Sequence, residues 1–337
     1  MIGSIQTLVG SIPQVSSSLV RRDHLGTFKV RWGIGRMNYT IEPGLYALGE
    51  PNEKSPVLVT ANYKMSFDKL RSELPARNLW ILVLDTKGIN VWCSAGKGTF
   101  GTMELVSRIE SSNLSRIVSH RELILPQLAG PGVAAHQVKQ LSGFKVIYGP
   151  IRAIDLSTFL DSGLKATSEM RLETFTTRER IALIPIEFVS ALKVGLIIMA
   201  VIFLVAFFGR LGEGGTNALN HGIYSALAIL MAIVAGAVFT PLLLPWLPGR
   251  AFSIKGLSLG LFADVILVVL RFNDLTLEIV AWLLLIPALL AYLAMNFTGA
   301  STFTSLSGVK KEMRWALPFQ IGAGVIGFVL WIGSQFV

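Results

Sequence analysis

"LWILVLDTKGINVWCSAGKGTFGT", residues 79–102, decides how this chain reads. It leaves an apolar, strand-like run at 79–85, crosses a turn containing Gly88 and enters a helix-like pattern. Gly88, Gly96, Gly98 and Gly101 fall within fourteen residues. Glycine at that density marks backbone that turns tightly or comes close to a ligand. The same stretch holds Cys93, the one cysteine in 337 residues.

Working outward, "SPVLVTA" at 55–61 and "FKVIYGP" at 144–150 also read as buried strands. Between the strands lie helix-like patterns at 66–74, 102–112 and 134–142. Alternating strand and helix predicts a parallel sheet covered on both faces. Such a sheet takes ligands at the carboxyl ends of its strands, and residues 85–102 leave one of those ends.

The rest of the chain has a different composition. Residues 1–180 carry 22 Lys and Arg and 15 Asp and Glu, whereas 181–337 carry 8 and 6. A mean hydropathy of +0.59 with 15% charged residues is too apolar for an ordinary soluble protein. Five apolar stretches, at 184–208, 218–245, 251–270, 275–297 and 314–336, are each long enough to span a bilayer. The expectation is a charged N-terminal domain followed by an all-α transmembrane domain of five helices. The divisions are an N-terminal extension at 1–39, a ligand-binding domain at 40–180 and the membrane domain at 181–337.

"MIGSIQTLVGSIPQVSSSLV" lacks a basic start and is broken by Pro13 and serines, so it does not read as a signal peptide. The expectation is that the N-terminal domain stays in the cytoplasm. With that orientation Arg178, Arg180, Arg250, Lys255, Lys310, Lys311 and Arg314 fall inside, and Arg210 and Arg271 outside. The C-terminus then lies outside a cytoplasmic membrane. Inside the spans, Lys193, Asp264 and Glu278 are the candidates for a transport role, with Asp264 deepest. Glu187, Lys193 and Glu278 lie near span ends, where they can snorkel or pair. The alternative reading is an anchor that docks a partner or guides a substrate.

One cysteine excludes an internal disulfide and a self-contained iron–sulfur cluster. The nucleotide motifs fail as well. Lys97 is followed by Gly98 rather than Ser or Thr, so there is no Walker A loop. Gly96-Lys97-Gly98-Thr99-Phe100-Gly101 has the letters of a dinucleotide motif but does not directly follow the strand. If a helical turn forms at 93–97, Lys97 shares a face with Cys93, and both the ammonium and the helix start favour a thiolate. A thiolate is a nucleophile or a metal ligand; His24, His120 and His136 are all distant in sequence but could still approach in space, and the sequence holds no zinc-type cluster of Cys and His. A buried, inert Cys93 stays open. So does a single axial ligand to a metal whose other ligands come with a cofactor.

At this point the sequence resembles a family. Asn90, Val91, Trp92, Cys93, Ala95, Gly96 and Lys97 match the cap-helix motif of the HgcA family, membrane-bound corrinoid proteins of mercury methylation. Ser94 departs from that family's usual alanine. The blocks at 55–74, 125–138, 143–160 and 166–187 resemble the corrinoid-binding domain of the corrinoid iron–sulfur protein large subunit. The family's five-span tail is also present.

The resemblance implies an α/β Rossmann-like corrinoid-binding domain that takes cobalamin or a related corrinoid base-off. Cys93 would be the lower axial ligand to cobalt. Asn90, Trp92, Gly96, Lys97 and Gly98, with Val91, Ser94 and Ala95, would shape the cap helix. Thr60, Asn62 and Tyr63, with Gly130 and Gly132, would line the corrinoid; ordinary turn and core roles for these stay open. His136 would hydrogen-bond the cofactor or be structural. The Asp-x-His-x-x-Gly motif of histidine-ligated cobalamin is absent. The implied reaction is methyl transfer from cobalt to Hg(II), with the trans thiolate pushing electron density toward the departing methyl. The implied partners are HgcB, a ferredoxin-like protein with two 4Fe–4S clusters, and a methyl donor, either a protein or a methyl-folate system. No nucleic acid is expected. The alternative reading is a methyl carrier serving another acceptor.

Overall fold

The structure is a computed structural model that describes residues 1–209, 214–270, 277–299, 301 and 304–336. It forms two compact units, Met1–Val30 with Ile34–Glu173, and Arg31–Gly33 with Thr174–Val337.

The first unit runs β1 (Gly3–Thr7), β2 (Gly10–Val15), α1 (Arg21–Arg31), β3 (Gly44–Leu48), β4 (Val57–Ala61), α2 (Lys64–Ser72) and β5 (Leu79–Leu84). It continues with α3 (Val91–Lys97), α4 (Thr102–Ser111), α5 (Leu114–Ile117), β6 (Glu122–Leu125), α6 (Ala135–Ser142), β7 (Lys145–Tyr148) and α7 (Leu156–Asp161). Seven strands form one sheet in the order β1-β2-β3-β5-β4-β6-β7. The half β5-β4-β6-β7 is parallel, as expected. The other half corrects the all-parallel expectation: β3 runs antiparallel to β5, and β1 and β2 form an antiparallel hairpin at the edge. Residues 3–15 of the stretch read as an N-terminal extension are therefore strands of this sheet.

All side chains of β4 and β5 are buried. That is why both read as unbroken apolar runs: each face of a central parallel strand is covered. Val57, Val59, Trp80, Leu82 and Leu84 enter one core layer with Phe100, Leu105 and Ile109. Leu58, Leu79, Ile81 and Val83 enter the opposite layer with Phe67, Leu70 and Phe159. Each fully buried side chain of this size stabilises the fold by about 1.5–3 kcal/mol. The N-terminal segment is tied down by charge: Asp23 accepts from Lys64 Nζ and Arg71 Nη2, each at 2.7 Å.

The second unit begins at α8 (Thr177–Ile181), where Thr176 and Glu179 form a capping box. Then come α9 (Ile184–Gly209), α10 (Gly214–Asn217), α11 (Ile223–Val234), α12 (Thr240–Leu243), α13 (Phe252–Leu270), α14 (Leu277–Asn296) and α15 (Leu306–Ser334). π-Helical turns at Ala218–Gly222 and Ala235–Phe239 connect α10, α11 and α12. Five helical stretches are long and apolar enough to cross a membrane: Thr177–Phe208, Ile223–Leu243, Phe252–Val269, Leu277–Gly299 and Ser307–Ser334. Large apolar side chains are buried inside, such as Trp282 and Trp331, but others stand outward, with Phe319 76% and Phe208 72% exposed. A soluble bundle would keep such faces covered. The helices α13 and α14 approach closely: a Cβ on Gly256 would lie 2.3 Å from the Leu290 carbonyl oxygen.

Of the two alternatives for Glu278 near its span end, snorkelling or pairing, the structure shows pairing: it is fully buried, 2.7 Å from His221 Nδ1 and 3.2 Å from Ser225 Oγ. Lys193 is exposed on α9. Asp264 is 5% exposed, and its Oδ1 has no hydrogen-bond partner among the described residues. Arg210 and Arg271, on which the expected orientation rested, lie outside the described residues.

Candidate functional site

The carboxyl ends of β4, β5, β6 and β7 are continued by Asn62, by residues 85–98, by 126–133 and by 149–152. These four segments leave the same edge of the parallel half-sheet, where open α/β sheets bind ligands. Residues 85–98 deliver α3.

The position of α3 is set by its cap. Asn90 takes extended backbone, and its Oδ1 accepts from the Cys93 N–H at 2.9 Å. That satisfies one of the donors a helix start leaves unpaired, an effect worth about 1 kcal/mol. At the far end Gly98 (φ +82°) closes the helix in the left-handed region, its N–H donating to Ala95 O. The helix has two faces. Ser94 and Ala95 are buried and Val91 is half-buried against the core, while Trp92, Cys93, Gly96 and Lys97 are exposed. A buried Cys93 is therefore excluded. Cys93, Gly96 and Lys97 follow the three- and four-residue spacing of one helix face.

Ser94 is fully buried; its hydroxyl donates to the Asn90 and Val91 carbonyls at 2.6 and 3.0 Å. It is satisfied within the helix and lies on its buried side, whereas the thiol is exposed. Gly96 has no atom within 4 Å of where a Cβ would stand. The chain's own packing does not require glycine there, so the space beside Cys93 over Gly96 is open.

The sequence-picked residues outside α3 divide. Asn62 is 5% exposed and fully engaged: its Oδ1 accepts from Thr86 N–H (3.1 Å), Thr86 Oγ1 (2.8 Å) and Gly88 N–H (3.0 Å), and its Nδ2 donates to Asp85 (3.3 Å). It pins the turn that leads into α3. Gly132 backs α3 directly: a Cβ there would lie 2.2 Å from Phe100 O and 3.0 Å from Ala95 Cα and O. Thr60 lies within β4, 4% exposed, and Tyr63 is 3% exposed just before α2. Gly130 ends the short turn after β6, and His136 is exposed on α6. His120 has one ring nitrogen 2.9 Å from Ser55 O and the other 3.2 Å from Glu122 N. No group of three metal-ligating side chains occurs among the described residues.

Several supporting residues escaped the sequence reading. Glu104 accepts from Asp85 N–H at 2.8 Å and pairs with Arg108, joining the end of β5 to α4. Tyr148 donates to Val133 O at 2.6 Å, and Thr102 Oγ1 accepts from Ala134 N–H at 2.9 Å; together they fix the loop behind α3. Lys87, hydrogen-bonded to Asp85, holds that carboxyl below the usual range. The one signal in sequence was "DTKG" directly after a strand, a turn that Asp and Gly favour.

Comparison with known proteins covers this same unit. The chain is 33% identical over 123 residues to an acetyl-CoA decarbonylase/synthase complex subunit gamma of Methanopyrus kandleri, covering 36% of this chain and 26% of that one. The same subunit of Archaeoglobus fulgidus is 33% identical over 113 residues, 33% of this chain and 24% of that one. The corrinoid/iron-sulfur protein large subunit of Moorella thermoacetica is 26% identical over 126 residues, 37% of this chain and 28% of that one. The chain thus spans about a quarter of the length of these relatives. Residues 35–160, which hold Cys93 and the parallel half-sheet, match the family of the CO dehydrogenase/acetyl-CoA synthase delta subunit.

Proposed function

We propose that the first unit holds a corrinoid against the exposed face of α3, where Cys93 would ligate its cobalt. On this reading the chain is a membrane-anchored methyltransferase that gives methylmercury from Hg(II). The observation that carries it is the thiol: Cys93 is exposed beside Gly96, on a helix locked from behind, at the ligand-binding edge of the sheet. The names of the relatives support the cofactor class, since one is a corrinoid/iron-sulfur protein. The residues fit such a group, because a macrocycle held by Cys93 needs room beside the sulfur, and Gly96 leaves that space open.

A bound corrinoid supplies a metal-held methyl group and its transfer to an acceptor. This chain's residues supply the placement. Asn90 occupies the Cys93 N–H and sets the first turn, so the sulfur points from a fixed helix. Ser94 and Ala95 fasten α3 to the core, and Gly132 lets the loop after β6 seat against it. Asn62 holds the approach turn. A soft thiolate suits a soft metal centre. With one cysteine, the chain cannot hold a four-cysteine cluster, so we assign low-potential electrons to a partner of the ferredoxin-like HgcB type. Five helices long and apolar enough to cross a membrane support our reading of the chain as anchored in the cytoplasmic membrane, and we assign the first unit to the cytoplasm and the C-terminus to the outside.

A second reading, a methyl carrier serving another acceptor, is favoured by the relatives named as acetyl-CoA decarbonylase/synthase subunits. The deciding experiment presents Hg(II) to the methylated, full-length protein with its electron donor and measures methylmercury. Formation by the wild type and loss in Cys93→Ala support the first reading. A methylated protein that keeps its methyl group in the presence of Hg(II) overturns it in favour of another acceptor.

A further inference from the structure

The second unit contains a cavity of about 760 Å³ that the methyl-transfer reading does not use. Arg180, Arg250, Lys255 and Lys311 line it, against one carboxylate, Glu312. The charges are not neutralised locally. Glu312 is turned to the start of α13, where its Oε1 accepts from Ser253 N–H at 2.6 Å. Lys255 Nζ donates to the carbonyls of Leu244 and Leu247, at 2.8 and 2.7 Å. Arg180 is 5% exposed; its Nη1 donates to Phe175 O and its Nη2 to Thr177 Oγ1, while its Nε has no partner among the described residues. Arg250 and Lys311 are exposed and make no ion pair among the described residues.

The rest of the wall is apolar, with Phe175, Phe252 and Trp315 among its residues. Trp315 also borders a second hollow of about 320 Å³, floored by Pro287 and Ala291 between α13, α14 and α15. The rims of that hollow face outward: Leu261 is 55% and Phe319 76% exposed. A cationic chamber at the helix ends thus shares a tryptophan with an apolar groove along the helix sides.

We propose that this pair of hollows is a binding site for one anionic phospholipid, with its phosphate among Arg180, Arg250, Lys255 and Lys311 and an acyl chain in the groove. Basic pockets at the ends of membrane helices take acidic headgroups. A free anion would satisfy the cations but leave the apolar wall and groove uncovered. A zwitterionic lipid would fill the groove but bring no net charge. The site rests on the reading of the second unit as membrane-spanning and is independent of the corrinoid.

The test uses the full-length protein in detergent, titrated with phosphatidylglycerol, phosphatidylcholine or inorganic phosphate while its thermal unfolding midpoint is followed. Phosphatidylglycerol raises the midpoint, and the other two do not. In the Arg250→Ala/Lys311→Ala double variant, the half-effect concentration rises roughly thirtyfold, about fivefold for each cation removed. Lys310→Ala, exposed on the same helix but outside the cavity, behaves as the wild type. An equal shift with phosphatidylcholine or with phosphate overturns the proposal, and so does an equal loss in Lys310→Ala. Washing membranes with alkaline carbonate separates the two failures. A chain that washes off refutes the membrane-spanning reading. A chain that stays but shows no phosphatidylglycerol effect refutes the lipid site alone.

Discussion

Replacing Gly96 by alanine pulls apart the stability of α3 and the use of its outer face. The glycine is helical and exposed, and a methyl group placed on it meets nothing within 4 Å. Alanine should therefore stabilise the helix by about 0.5–1 kcal/mol, because glycine loses more backbone freedom on folding. Hydrogen exchange of the α3 amides in the full-length protein should slow by about two- to fivefold. The same methyl group intrudes on any ligand seated against Cys93. An extra methyl at a packed contact costs about 1–3 kcal/mol, so corrinoid affinity should fall by about five- to 150-fold. Spectroscopic titration with hydroxocobalamin reads the second quantity. Slower exchange together with unchanged affinity would refute the assignment of this face as the corrinoid surface.

Gly132→Ala acts in the opposite sense. Its Cβ meets backbone atoms of Phe100 and Ala95, which no rotamer change can move, so the thermal midpoint should drop by the equivalent of about 1–3 kcal/mol; an unchanged midpoint contradicts the close approach. Asn62→Ala strips the shared acceptor from Thr86 and Gly88, at about 1–3 kcal/mol for each donor left buried and unpaired. Trypsin should then cut after Lys87 faster by at least about fivefold, and wild-type protection of that bond would contradict the role. Burial pushes the Asp23 carboxyl up, but hydrogen bonds from Lys64, Val20 N–H and Arg71 outweigh it and hold the pKa down at about 2, below the usual 3.8. A depressed carboxylate contributes stability above the unfolded value and loses it as pH falls through the folded one. Stability on the order of 2 kcal/mol should therefore vanish between about pH 4 and pH 2. Asp23→Asn should lack that acid limb, and an identical acid profile in the variant would contradict the assignment.

The features legible in sequence are those with a dense local signal. The strands β4 and β5 were readable because burial on both faces leaves no polar break. The first four apolar helices start or end within a few residues of the expected positions. The fifth begins at Leu306 rather than 314, because "LSGVKKEM" is helical but too charged for a hydropathy reading to include it. The hairpin β1–β2 was missed: "GSIQT" and "GSIPQV" are short, mixed and at the sheet edge, so they lack the unbroken apolar run of a central strand. The four-residue β6 gave too little pattern to recognise.

At the site, Cys93 and its neighbours were picked out by their density of unusual residues, and the structure puts them on one helix. The roles of Asn62 and Gly132 were not legible. Asn62 bonds to residues 23 to 26 positions away, and Gly132 is squeezed by backbone more than thirty positions upstream. Both effects exist only after the strands pair. For Glu278 the sequence left snorkelling and pairing both open, because its partners His221 and Ser225 lie more than fifty positions away and meet it only once the bundle packs.

The central claim is that Cys93 holds a corrinoid from the outer face of α3. Its most direct test is the visible spectrum of the full-length protein loaded with hydroxocobalamin, wild type beside Cys93→Ala. The account predicts different spectra, with an axial-thiolate signature that is present in the wild type and lost in the variant. Identical spectra from two proteins that both retain corrinoid would show that the sulfur is not the ligand.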